Sequence, residues 1–315
     1  MSDHDYATGE VRMVHPGPFE LAEGPFWHPG RECLFWFSVL DGTLHAAAAD
    51  GADHREWRLG ERASAAGIID DDHLAVATET GVWRLALGDG TKSPLVPLEA
   101  DDPRTRSNDG RVAPDGAFWI GTMGLAAEDG LGAIYRYDAS GTPPVTSVRR
   151  HVTIPNSICF SPDGAHAYLS DTRERVIRRL ALVDGVPSGE AEPHIDLRAD
   201  GRKPDDRNPD DRNTGGLNPD GAVTDAEGHL WCACWGAGEV VRFAPDGTRT
   251  GSVRFPARQV SCPAFGGPDM TTMFVTTAHE GMDGSERTPG DGAIYAAPTG
   301  VRGRPEPNVR VPASA

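Results

Sequence analysis

The chain has 315 residues, with 30 basic and 47 acidic side chains giving a formal charge of −17, plus five cysteines, 38 glycines and 26 prolines. Such a charge repels a phosphate backbone and an acidic membrane face, and no block of Lys or Arg offsets it, which argues against nucleic-acid binding. No apolar run approaches the ~18 residues of a membrane helix, Met1 to Glu10 carry no leader pattern, and the cysteines form no C-x-x-C pair. The expectation is a cytoplasmic protein with reduced thiols, no disulfide framework, no cysteine zinc site and no membrane or obligate protein partner.

In chain order, Glu10-Val11-Arg12-Met13-Val14 reads as a short strand outside any repeat. A first unit starts at Glu23-Gly24-Pro25-Phe26-Trp27 and turns at Pro29-Gly30. The second starts at Ala66-Gly67-Ile68-Ile69, turns at Asp70 to Asp72, and closes with Val82 to Leu87 before Gly88-Asp89-Gly90. The third, Asn108 to Trp119, is two strands about Pro114-Asp115-Gly116, followed by Ile134-Tyr135-Arg136-Tyr137. The fourth runs from Asn156 through Ser161-Pro162-Asp163-Gly164 to Ala167-Tyr168-Leu169-Ser170-Asp171. Arg198 to Asn218, dense in Asp, Arg, Asn, Pro and Gly, reads as a long loop over one face. An EF-hand reading of Asp206, Asn208 and Asp210 fails, because Asp211 stands where the loop glycine belongs and Leu217 where the final glutamate belongs. The fifth unit is Asp220 to Gly228 with Leu230 to Trp235, and the sixth opens at Cys262-Pro263-Ala264-Phe265.

These starts, at 23, 66, 108, 156, 220 and 262, are separated by 43, 42, 48, 64 and 42 residues. A period of about 40–50 residues, with alternating strands between glycine turns, is that of a four-stranded propeller blade. The reading is all-β: one six-bladed β-propeller domain over residues 1–315, its edge protected by the strand at about 10–14 pairing near Ala293-Ile294-Tyr295-Ala296. The tryptophans at 27, 36, 83, 119 and 231 fall at strand positions and are expected to pack between blades.

Equal register in different blades converges on one end of the central channel. That register holds Glu23, Asn108, Asn156 and Asp220, against Ala66 and Cys262 in units two and six. Two carboxylates with amide oxygens at a channel mouth make a hard-cation site, open to calcium, magnesium, manganese, iron(II) or zinc. One divalent cation there polarises a carbonyl and acidifies water, and a ligand carboxylate can take the water's proton, so hydrolysis is the favoured chemistry. Arg106, two residues before Asn108, falls on the same strand face and reads equally as a clamp for a polar substrate or as a surface arginine solvating a loop. Asp171 reads equally as a turn cap or as a channel residue. There is no G-x-S-x-G elbow, H-E-x-x-H helix or dinucleotide fingerprint, and Gly88 to Ser93 lacks phosphate-loop spacing.

Five stretches resemble the senescence marker protein/gluconolactonase/luciferin-regenerating enzyme family, the regucalcin-like sugar lactonases. They are Glu23 to Trp27; Arg106 to Gly110 with Gly121-Thr122-Met123; Pro155-Asn156; Pro219 to Gly221 through Cys234; and Phe265-Gly266-Gly267 to Gly284. The resemblance implies a metal-dependent hydrolase that opens a sugar lactone to its aldonic acid. It implies Glu23, Asn156 and Asp220 as metal ligands, Asp220 also as general base, and Arg106 and Asn108 as substrate-binding residues. A related ester or phosphotriester hydrolase and a noncatalytic calcium-binding propeller are the alternative readings. In one position the chain departs: where the family has a substrate-contacting glutamate three residues after Gly-Thr-Met, it has Ala126, with Glu128 out of register.

Overall fold

The long apolar runs in the middle of each repeat form strands buried on both faces, because each blade is covered by its neighbours. The computed structural model describes residues 4–198 and 216–311. The 17 residues of 199–215, and with them most of the expected long loop and the Asp206, Asn208 and Asp210 positions, lie outside the described residues. Among the described residues there is no helix.

Blade one is β3 (Ala22–His28), β4 (Cys33–Ser38), β5 (Thr43–Ala48) and β6 (Arg55–Arg58), paired antiparallel in that order. Blade two is β7 (Ala63–Asp70), β8 (His73–Thr78), β9 (Gly81–Ala86) and β10 (Lys92–Pro97). Blade three is β11 (Thr105–Val112), β12 (Phe118–Gly124), β13 (Gly132–Tyr137) and β14 (Val145–Val152). Blade four is β15 (Pro155–Phe160), β16 (His166–Asp171), β17 (Val176–Val183) and β18 (Val186–Asp196). Blade five is β19 (Asn218–Thr224), β20 (Leu230–Trp235), β21 (Glu239–Phe243) and β22 (Arg249–Arg254), with β1 (His4–Asp5) added parallel at its outer edge. Blade six is β23 (Gln259–Gly266), β24 (Thr272–Ala278), β25 (Ile294–Pro298) and β2 (Arg12–His15), the last pairing Arg12 with Ala296.

The six first strands of these blades pack side by side, with β23 returning to β3, so six sheets close into a β-propeller. Middle strands such as β4 (CLFWFS) and β20 (LWCACW) are almost wholly buried, whereas outer strands such as β14 are largely open to solvent. Trp36, Trp119 and Trp231 are fully buried between blades, and Trp27 nearly so. Trp83 differs: it is half-buried at an outer position, with the Lys92 ammonium 5.1 Å from its ring centroid.

The repeated Asp-x-x or Pro-Asp-Gly turns have one local cause. Each Asp carboxylate accepts the amide two residues on: Asp115 from Ala117 at 3.1 Å, Asp163 from Ala165 at 3.0 Å and Asp225 from Glu227 at 3.0 Å. The glycines that follow, Gly116, Gly164 and Gly228, take positive φ, which residues with a Cβ resist. Each of these turns returns the second strand of its blade antiparallel to the first.

Candidate functional site

Each inner strand is interrupted near its start by a β-bulge, and the bulges aim the polar residues. Register shifts fall between Glu23 and Phe26, Ser107 and Gly110, Asn156 and Cys159, and Pro219 and Ala222. A bulge adds a residue on one strand, bends it and re-aims a side chain. Here four blades turn Glu23, Asn108, Asn156 and Asp220 into one cavity of about 260 Å³, with Arg106 in its wall. That is space for roughly nine waters at about 30 Å³ each.

Gly24 shows why the sequence must be as it is at this point. Its φ is +55°, and a Cβ there would stand 2.1 Å from the Ser64 carbonyl oxygen. The backbone turns so sharply that Glu23 Oε2 accepts the Gly24 amide at 2.9 Å. Gly221, beside Asp220, faces the Cys262 Sγ with only 2.3 Å available to a Cβ, which allows β19 and β23 to approach. Ser157 is a non-glycine residue at φ +58°, held by its hydroxyl donating to the Asp220 carbonyl at 2.8 Å.

The polar side chains form a continuous chain across blades three, four and five. Arg106 Nη1 donates to Asn108 Oδ1 at 2.8 Å, and Asn108 Nδ2 donates to the Pro155 carbonyl at 3.0 Å and to Asn156 Oδ1 at 3.2 Å. Asn156 Nδ2 donates to Thr172 Oγ1 at 2.9 Å, which donates to the Pro219 carbonyl at 2.8 Å. Arg106, expected on the Asn108 face of its strand, is 6% exposed and so is no surface arginine.

Glu23 and Asp220 are 8% and 6% exposed. Burial first, and then the charge of Asp109, push the Glu23 carboxyl up to about 8, against the pull of the Gly24 amide and Arg106. Asp220 is raised well above the ordinary carboxylate range by burial and then by Glu23 and Asp109. Two largely buried carboxylates are therefore brought to one cavity wall against their electrostatic preference. An all-oxygen donor set of this kind fits a hard divalent cation, whose charge removes that repulsion.

Asp171 is a turn cap: its carboxylate accepts the amides of Thr153 at 2.7 Å, Ile154 at 3.1 Å and Arg173 at 3.1 Å. Ala126 lies in the cavity wall, and Glu128 turns back to accept the Ala126 amide at 3.1 Å. Residues just beyond the second strands complete the wall, among them Thr172, Arg173 and Glu280, with Trp235 at the end of β20. The sequence reasoning did not find them. The signal was present, since antiparallel pairing returns every second strand to the channel mouth where the first one began.

A second grouping, Asp225, Glu227 and His229, places three potential ligand atoms within 4.8 Å of one another at the blade-five turn. Arg242 occupies it, donating to Asp225 at 2.7 Å and Glu227 at 2.9 Å, while Trp231 Nε1 donates to Asp225 at 2.9 Å. That grouping is a structural ion-pair cluster.

With this geometry in view, comparison with known proteins is decisive for the family. The family model described as "SMP-30/Gluconolactonase/LRE-like region" matches residues 21–279. The chain belongs to this family. A putative sugar lactone lactonase of Rhizobium meliloti (strain 1021) is 36% identical over 304 residues, covering 95% of this chain and 97% of the relative. L-arabinolactonase of Azospirillum brasilense is 34% identical over 305 residues, covering 93% of each. Among solved structures, regucalcin from Agrobacterium tumefaciens, described as a calcium-binding protein, superposes with a TM-score of 0.87 at 37% identity, covering 96% of this chain and 98% of that one. The SMP-30/gluconolactonase span includes all five residues singled out from the sequence.

Proposed function

We propose that this protein hydrolyses a sugar lactone to the open aldonic acid, using one divalent cation held by Glu23, Asn156 and Asp220. The carrying observation is the pair of buried, upshifted carboxylates from blades one and five in a cavity of monosaccharide size. Family membership, with relatives named for lactone hydrolysis, supports the reaction class.

A bound divalent cation would supply Lewis acidity at this position, to a carbonyl oxygen or to water. The remaining tasks fall to the chain's own residues. Asp220, a carboxylate in the cavity wall, accepts the proton of the attacking water. Arg106 presents a guanidinium held in place by Asn108 and the Ser107 carbonyl, and so meets substrate oxygens in a fixed orientation. Asn108 spans Arg106 and Asn156, tying substrate binding to the cation ligands. Burial of these side chains lowers the local dielectric and strengthens each of these interactions.

The proposal places this activity in the cytoplasm. The test is turnover: chelator-treated protein is expected to lose lactone opening and to regain it with a single divalent metal. Tight calcium binding with no turnover of any lactone would favour the noncatalytic alternative.

A further inference from the structure

Below the cavity floor the channel carries a second line of charges. Asp109 is buried on β11 directly after Asn108. The bulge that aims Asn156 takes the Ile158 amide out of the β15–β16 ladder, and Asp109 Oδ2 accepts that amide at 2.7 Å. One side chain of blade three thus fixes the backbone that presents Asn156 from blade four. Its charge also faces Glu23 and Asp220.

Two residues further along the strand, the buried guanidinium of Arg111 attracts Asp109 and donates through Nη1 to the Glu306 carboxylate. Glu306 comes from the C-terminal segment, 299–311, which crosses the end of the channel opposite the cavity. The Gly303 amide donates to the Met270 carbonyl at 2.8 Å, Val309 to Ile68 at 2.7 Å and Arg310 to Gly116 at 2.9 Å. These contacts lie at the turn ends of blades six, two and three. Only a cavity of about 30 Å³ remains beside the Arg111–Glu306 pair, close to the volume of one water in the liquid.

We propose that Asp109 is the positioning residue of the cation site, and that the C-terminal segment sustains it by delivering Glu306 to Arg111. The proposal rests on the cation reading above. Arg111 alone would cancel the charge that Asp109 contributes to the site. Glu306 offsets Arg111, so the negative charge of Asp109 remains effective at Glu23 and Asp220 in a low-dielectric interior.

The test is Mn²⁺ affinity, measured by titration calorimetry on the full chain, with thermal unfolding as the folding control. Glu306→Gln keeps the backbone hydrogen bonds of the tail and is expected to weaken Mn²⁺ binding about fivefold or more, by leaving Arg111 uncompensated. Asp109→Asn, which retains an acceptor for the Ile158 amide, is expected to weaken it about tenfold or more. Glu306→Asp keeps the negative charge beside Arg111 while shortening the side chain, and its affinity should stay within about twofold of the unsubstituted protein. That retention separates a charge-balancing role from a merely structural one, because both substitutions at 306 disturb the packing of the tail. Affinity unchanged in Glu306→Gln and Asp109→Asn, or Glu306→Asp as weak as Glu306→Gln, overturns the proposal alone. Failure of the unsubstituted protein to bind Mn²⁺, Ca²⁺, Mg²⁺ or Zn²⁺ overturns the cation reading and this proposal with it.

Discussion

Glu23→Gln is expected to stabilise the metal-free protein at alkaline pH while abolishing its response to cations. In the folded, metal-free protein Glu23 titrates near 8 against an ordinary 4.5. Between those values the unfolded chain has released the proton and the folded chain still holds it. The folded state binds more protons, so stability falls as pH rises through this window and is flat above it. A gap of about 3.5 pH units at ~1.4 kcal/mol each sets a ceiling on the order of 5 kcal/mol for the loss. For a chain of this length that corresponds to roughly 5–10 °C in Tm. The assay is calorimetric unfolding of chelator-treated protein from pH 5 to 9, for the unsubstituted chain and Glu23→Gln. General repulsion from the −17 charge is nearly common to both and drops out of the difference. The variant should gain on the unsubstituted protein steadily above pH 5, and added Ca²⁺ or Mn²⁺ should raise the Tm of the unsubstituted protein only. Parallel pH curves for the two proteins would refute the buried-charge reasoning.

Asp220→Ala is expected to lower kcat at least about a thousandfold, with Tm within a few degrees, and single-turnover kinetics with circular dichroism would check both. Arg106→Lys should raise the lactone KM about tenfold, because an ammonium cannot reproduce the planar fork that Asn108 and the Ser107 carbonyl hold in place; an unchanged KM would remove Arg106 from substrate binding. Gly24→Ala should cost at least about 2 kcal/mol in denaturant unfolding, since a Cβ would meet the Ser64 carbonyl at 2.1 Å in a left-handed backbone. Trp119→Ala, in contrast, should lower stability by about 3–5 kcal/mol while keeping the lactone KM, because the ring packs in the core between blades and does not line the cavity.

The propeller was legible because its repeat is local. Turn chemistry at Asp115-Gly116, Asp163-Gly164 and Asp225 with Gly228 is written in a few residues, and the apolar runs between turns can only form strands buried on both faces. Convergence of Glu23, Asn108, Asn156 and Asp220 was legible for the same reason, as equal register in a closed ring means one channel end. The bulges were not legible, because a register shift is decided by pairing with the next strand and not by the strand's own pattern. Arg173, Trp235 and Glu280 escaped notice because they lie at or just beyond the ends of second strands, where no apolar alternation marks them. Nor did the sequence announce Glu306, whose partner Arg111 is 195 residues away and meets it only after the tail has crossed the ring.

The most direct test of the account is the initial rate of opening for a panel of aldono-γ- and δ-lactones, using chelator-stripped protein with Ca²⁺, Mg²⁺, Mn²⁺, Zn²⁺ or Fe²⁺ returned one at a time. The account predicts negligible opening above the spontaneous rate without metal and fast opening of at least one lactone when a single metal is restored. Opening that persists at full rate after the metal is stripped, or no opening of any lactone with any metal despite measurable cation binding, would contradict it.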